Sequence, residues 1–65
     1  MVTKLSLRER HAVETRQRIV DVALALFLQH GYEATTTDEI AEQADVSPRT
    51  FFRYFATKEA LLFHD

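Results

Sequence analysis

The stretch Thr36-Thr37-Asp38-Glu39-Ile40-Ala41-Glu42-Gln43-Ala44-Asp45-Val46-Ser47-Pro48-Arg49-Thr50-Phe51-Phe52-Arg53-Tyr54-Phe55 holds two helix starts, one at Thr36 and one at Ser47. Thr36 and Glu39 stand three residues apart, so a hydroxyl can accept from the third backbone N–H while a carboxylate reaches back. The acids Asp38 and Glu39 also suit the positive end of a helix dipole. This spacing predicts a helix from Thr37 to about Ala44, with Ile40, Ala41 and Ala44 inward and Glu42 and Gln43 outward. Asp45-Val46 separates it from Ser47-Pro48. Serine caps a helix, and proline in its first position forfeits no hydrogen bond because that N–H has no partner anyway. A third helix is therefore expected from Pro48 to about Tyr54, carrying Phe51, Phe52 and Tyr54 and followed by Phe55.

Upstream, Ser6-Leu7-Arg8-Glu9 repeats the capping pattern. From Leu7 onward, Ile19, Ala23, Leu26 and Phe27, broadened by Val20 and Leu24, mark one face of a 3.6-residue repeat, and Gly31 stops it as a left-handed residue would. That predicts a first helix whose early turns (Arg8, Glu9, Arg10, His11, Glu14) face solvent, with residues 32–35 as the connection. Downstream, Thr57 caps a fourth helix beginning Lys58-Glu59-Ala60-Leu61-Leu62. The fold class is all-α: a three-helix bundle with a helix-turn-helix plus the start of a fourth helix. Phe27, Ile40, Val46, Phe51 and Phe55 are the expected core. Tyr32 is expected to lie over it with its hydroxyl in water, and Leu61, Leu62 and Phe63 to have little cover. The apolar residues of the first helix are all assigned to the core.

With 65 residues, one glycine, one proline and no cysteine, the chain is bounded to one small domain with no disulfide or thiolate zinc site. A chain this short buries only about 60% of the surface it exposes when unfolded, so a low melting temperature is expected. The longest apolar run, Val22 to Leu28, falls well short of the ~20 residues of a membrane span, and with no signal peptide the expected compartment is the cytoplasm. The net charge is −2, but it is polarised: +3 over residues 1–18, −6 over 19–45 and +1 over 46–65. A polarised molecule can meet a polyanion with its basic end. Catalysis is disfavoured, because His11, His30 and His64 fall on different segments, no nucleophile stands beside them, and a single glycine makes no phosphate loop. No cofactor or metal is expected. A helical module that binds a protein rather than DNA is the competing class, and the acidic middle of the chain would suit it.

Residues 15 to 62 resemble the N-terminal DNA-binding domain of the tetracycline-repressor (TetR) family of transcriptional regulators. The resemblance rests on Thr15-Arg16, Ile19, Ala23, Leu26-Phe27, Gly31-Tyr32, Thr35-Thr36, Ile40-Ala41, Ala44, Val46-Ser47, Thr50-Phe51, Tyr54-Phe55, Lys58-Glu59 and Leu61, in register without a gap. It implies sequence-specific binding of double-stranded DNA by a ligand-responsive regulator, usually a repressor, that acts as a homodimer on a palindromic operator. It further implies a larger C-terminal helical domain that dimerises and binds an inducer. Residues 1–65 are then the DNA-reading module, with 1–6 a flexible arm, and the isolated chain is expected to be a monomer or weak dimer.

A recognition helix presents its N-terminal side chains to base edges in the major groove. Here those are Ser47, Pro48 and Arg49. Arginine can donate two hydrogen bonds to guanine, and proline can offer apolar contact to a thymine methyl. The resemblance places Thr50 at the sugar-phosphate wall. Arg53, one turn beyond Arg49, suits a phosphate as well as a base. Tyr54 stands where the family often contacts phosphate or base, and equally suits simple packing. Lys58 is expected to join free N–H groups in a phosphate seat. Thr37 can donate to phosphate or serve as a second cap, and Arg16, Arg18 and the Lys4 to Arg10 region can reach neighbouring backbone or minor groove. Two departures stand out. Asp45 replaces the usual turn glycine, which predicts slight strain, and Phe52 stands where many members of the family carry a tyrosine whose hydroxyl binds phosphate, so one contact is missing or taken over by Arg53 or Tyr54.

Overall fold

A computed structural model describes residues 6–63 as α1 (Leu7–His30), α2 (Thr37–Gln43), α3 (Pro48–Tyr54) and a final 3-10 turn (Glu59–Phe63). The expected all-α bundle is what forms. Residues 1–5 of the expected arm, with Lys4, and His64 lie outside the described residues, whereas Ser6, the last residue of that arm, is held as the cap of α1.

Each helix starts where its cap predicts. Ser6 forms the complete reciprocal box: its hydroxyl accepts from the Glu9 N–H at 3.1 Å, and its own N–H donates to Glu9 Oε1 at 2.9 Å. At α2 the box is half made. Thr36 Oγ1 accepts from the Glu39 N–H, but the Glu39 carboxylate turns to His30 Nε2 at 3.2 Å, tying the end of α1 to the start of α2. α1 stops at Gly31, whose N–H donates to the Phe27 carbonyl. Its φ of 91° is positive as expected, but ψ is 152°, so the residue leaves the helix in an extended rather than a left-handed helical conformation. A Cβ there would meet nothing within 4 Å, so backbone conformation and not space demands glycine.

The core gathers Ile19, Val20, Ala23 and Leu26 of α1, Ile40, Ala41 and Ala44 around α2, and Phe51, Phe55 and Leu61. Phe27 and Val46 are only half-buried and pack against it. Three expectations need correction. Leu24 and Leu28 are not in the core, being 41% and 90% exposed, because they sit roughly 100–140° around the helix from Ala23; Leu7 and Val13 are exposed as well. Leu61 is fully buried, leaving only Leu62 and Phe63 uncovered. The Tyr32 hydroxyl is buried with no hydrogen-bond partner among the described residues, and the ring lies against Phe27.

The fourth segment also departs from the α-helix expected. Thr57 does cap it, accepting from the Ala60 N–H, but the Leu61 N–H bonds back three residues to the Lys58 carbonyl. With Leu61 its only buried residue, the turn takes the tighter form common in short connecting pieces.

Candidate nucleic-acid interface

The joint between α2 and α3 is built from backbone bonds. The Val46 N–H donates to the Ala41 carbonyl at 2.9 Å and the Asp45 N–H to the Glu42 carbonyl at 3.1 Å, the paired bonds of a Schellman close. That close requires a residue with positive φ, and Asp45 supplies it at 62°. The expected left-handed turn is therefore present, with aspartate where glycine is easiest. From α1, Arg18 Nε donates to the Ala44 carbonyl at 2.8 Å, satisfying an acceptor that the helix end leaves open.

This joint sets the direction of α3. Ser47 is extended, with φ −73° and ψ 157°, and its Oγ accepts from the Thr50 N–H and donates to Thr50 Oγ1, each at 3.0 Å. Phe51 and Phe55 are buried, while Pro48, Arg49, Phe52 and Arg53 are exposed. These four are two i, i+4 pairs, so they share the outward face of the helix. Phe52 is 47% exposed, with its ring edge-on to Phe51. Among the described residues, Arg49 and Arg53 have no hydrogen-bonding or ionic partner. Thr50 and Tyr54 are half-buried at the margins of this face.

Other expected residues are engaged differently. Thr37 is half-buried in the first turn of α2 and leaves capping to Thr36. Lys58 precedes the 3-10 turn, and its ammonium donates to the carbonyls of Tyr32 at 2.8 Å and Thr35 at 3.0 Å rather than joining free N–H groups at a helix head. The Arg16 guanidinium lies 5.2 Å from the Phe55 ring centroid, and Arg18 serves the turn as described. Of the residues expected near DNA, Ser47, Pro48, Arg49, Thr50, Phe52, Arg53 and Tyr54 are thus brought together on one helix. Thr37 lies on α2, and Lys58 behind the loop between α1 and α2.

A model of the family described as bacterial regulatory proteins, tetR family, matches residues 19–64. The chain belongs to the tetR family. It is 55% identical over 53 residues to the HTH-type transcriptional regulator TcmR of Streptomyces glaucescens, covering 82% of this chain and 24% of that protein. It is 49% identical over 49 residues to the HTH-type transcriptional repressor KstR of Rhodococcus jostii, covering 75% of this chain and 23% of the repressor. The chain thus spans about a quarter of the length of these tetR-family relatives. No helix among the described residues is long and apolar enough to cross a membrane.

Three roles in this tetR-family bundle escaped sequence reasoning. Thr35 is fully buried, and its hydroxyl donates to the Gly31 carbonyl at 2.8 Å, with the Leu26 carbonyl at 3.2 Å. Its place before a capping threonine marks it only as polar. The bonds of Arg18 to Ala44 and of Lys58 to Tyr32 each span 26 residues, and that of Lys58 to Thr35 spans 23, beyond any local pattern. A cleft lined by Leu7, Arg8, His11, Ala12, Thr15, Arg53 and Tyr54 joins the first turns of α1 to the end of α3. Its α1 residues follow helical spacing, but nothing in sequence says which element faces them.

Proposed function

We propose that this chain is the DNA-reading module of a transcriptional regulator, placing α3 in the major groove of a specific double-stranded site. The observation that carries this reading is the outward face of α3, where Arg49 and Arg53 stand exposed behind a capped, proline-led N-terminus. Seven helical residues are about 10.5 Å long, close to the ~12 Å width of the major groove. Arg49 reads a guanine, with Ser47 and Pro48 beside it at the base edges. Phe52 gives apolar contact, and Thr37, Thr50, Arg53 and Tyr54 hold the sugar-phosphate walls. Lys58 serves by fixing the loop that delivers α2.

The relatives' names include a transcriptional repressor, which supports repression as the outcome of binding. Much of the length of those relatives lies outside the match, and there we place homodimerisation on a palindromic operator and the binding of an inducer. The test is selection of duplexes from a random pool by a dimeric form, with affinity followed against salt. A DNA reader yields one recurrent sequence and loses affinity steeply as salt rises. A protein-binding module has no duplex affinity to lose, and that result sinks the reading.

A further inference from the structure

The cleft between α1 and the end of α3 joins side chains that lie some forty positions apart in sequence. Arg8, His11, Ala12 and Thr15 follow one another at i, i+3, i+4 and i+7 along α1, and Arg53 and Tyr54 close the other side. We infer that this cleft is a second seat on the duplex, taking a sugar-phosphate segment of the DNA backbone beyond the groove occupied by α3. The inference rests on the DNA-reading function proposed above, and extends it to three residues of α1.

Three observations carry it. The first is charge. Among the described residues, the ionisable groups lining the cleft, apart from the phenol of Tyr54, are the basic side chains of Arg8, His11 and Arg53, and no carboxylate lines it. Glu9 and Glu14, next in sequence to Arg8 and Thr15, are not among the lining residues, and the Glu9 carboxylate accepts the Ser6 N–H at 2.9 Å. The second is composition. Leu7, Ala12 and the Tyr54 ring give apolar contact beside the guanidiniums of Arg8 and Arg53, as a deoxyribose flanked by phosphates requires. Thr15 and His11 add donors suited to phosphate oxygen. The third is position. Arg53 and Tyr54 end a helix about as long as the groove is wide, so with Arg49 at the bases the cleft meets the flanking backbone. The acidic stretch, residues 19–45, begins only after these turns of α1.

Arg8 decides the matter, because it is exposed and outside the core, so that Arg8→Ala leaves the bundle intact. On the selected duplex, the affinity that the unaltered chain loses between 50 and 200 mM salt should shrink by about threefold in Arg8→Ala, the change expected for one phosphate contact. Site preference and melting temperature should not move. Uncharged methylphosphonate linkages, introduced one at a time, should then reveal one flanking phosphate whose neutralisation weakens the unaltered chain but not Arg8→Ala. A second variant, Ala12→Glu, should weaken binding to all duplexes alike, and by more than Ala12→Gln, because only the glutamate adds a negative charge beside the phosphates. If the unaltered chain binds duplex with a steep salt dependence while Arg8→Ala keeps both affinity and slope, the cleft proposal falls alone and the cleft is left to an acidic protein segment. If the unaltered chain has no duplex affinity, the DNA-reading function falls first.

Discussion

The ammonium of Lys58 donates to the Tyr32 carbonyl at 2.8 Å and lies 4.3 Å from the centroid of the same residue's ring. With the further bond to the Thr35 carbonyl, one side chain closes the loop between α1 and α2 from behind, supplying a cation where backbone acceptors and a ring face converge. Lys58→Met keeps the apolar stem and removes the charge. It should cost about 1–2 kcal/mol of stability, within the range for half-buried bonds to a charged donor, and leave the salt slope of DNA binding unchanged. Thermal unfolding and a salt titration check both. A slope lowered by about one at an unchanged melting temperature would instead put this ammonium on a phosphate.

Asp45 and Gly31 both carry positive φ, and substitutions should separate their reasons. Asp45→Gly retains the Schellman bonds and relieves a left-handed aspartate, so stability should hold or rise by up to about 1 kcal/mol, the entropy that glycine adds to the unfolded chain offsetting part of the gain. Gly31→Ala should lose about 1–3 kcal/mol although the space around it is open, because an alanine does not tolerate φ 91° with ψ 152°. Urea unfolding of the two variants measures both. A loss above about 1 kcal/mol for Asp45→Gly would give the carboxylate a bond of its own.

What was legible in this sequence was local. Ser6, Thr36, Ser47 and Thr57 cap where hydroxyl and spacing predict, since a cap is decided within four residues. What was not legible depends on which faces meet. Leu24 satisfies the helical repeat as well as Val20 does, yet only Val20 finds a neighbouring element to bury it. Lys58 carries the charge of a phosphate ligand, but the fold brings two carbonyls to it first. The outward face of α3 was readable because Pro48 fixes its start and Phe51 its buried side. The opposing wall of the cleft was not, because α1 meets Arg53 and Tyr54 only through the tertiary fold.

The start of α1 should depend on pH. The Ser6 backbone N–H, and after it the Ser6 side chain, hold the Glu9 carboxyl below the usual glutamate range. A lowered value means stabilisation present above the ordinary glutamate range and lost as the pH falls through it to the lowered value. Amide shifts of Ser6 and Leu7 should therefore report fraying of the first turn on acidification below about pH 4. Glu9→Gln should show no such step. A step that persists in Glu9→Gln would assign the titration to another group.

Arg49 carries the prediction on which sequence preference turns. It sits one residue inside the proline-led start of α3, exposed and without a partner among the described residues, so nothing in the bundle competes for its guanidinium. Two parallel donors match guanine O6 and N7, and loss of such a pair is worth about 1–3 kcal/mol of discrimination. Arg49→Ala should therefore weaken the selected site by that amount and bind the other sequences almost as before, relaxing preference at one base pair per half-site. Arg49→Lys should recover part of the affinity and less of the preference, because an ammonium lacks the planar fork. Folding should be indifferent, since the side chain is exposed. Binding measured across a panel with each base at each position of the site separates the outcomes. A uniform loss over the whole panel would move Arg49 to the phosphates, and an unchanged panel would remove it from the interface.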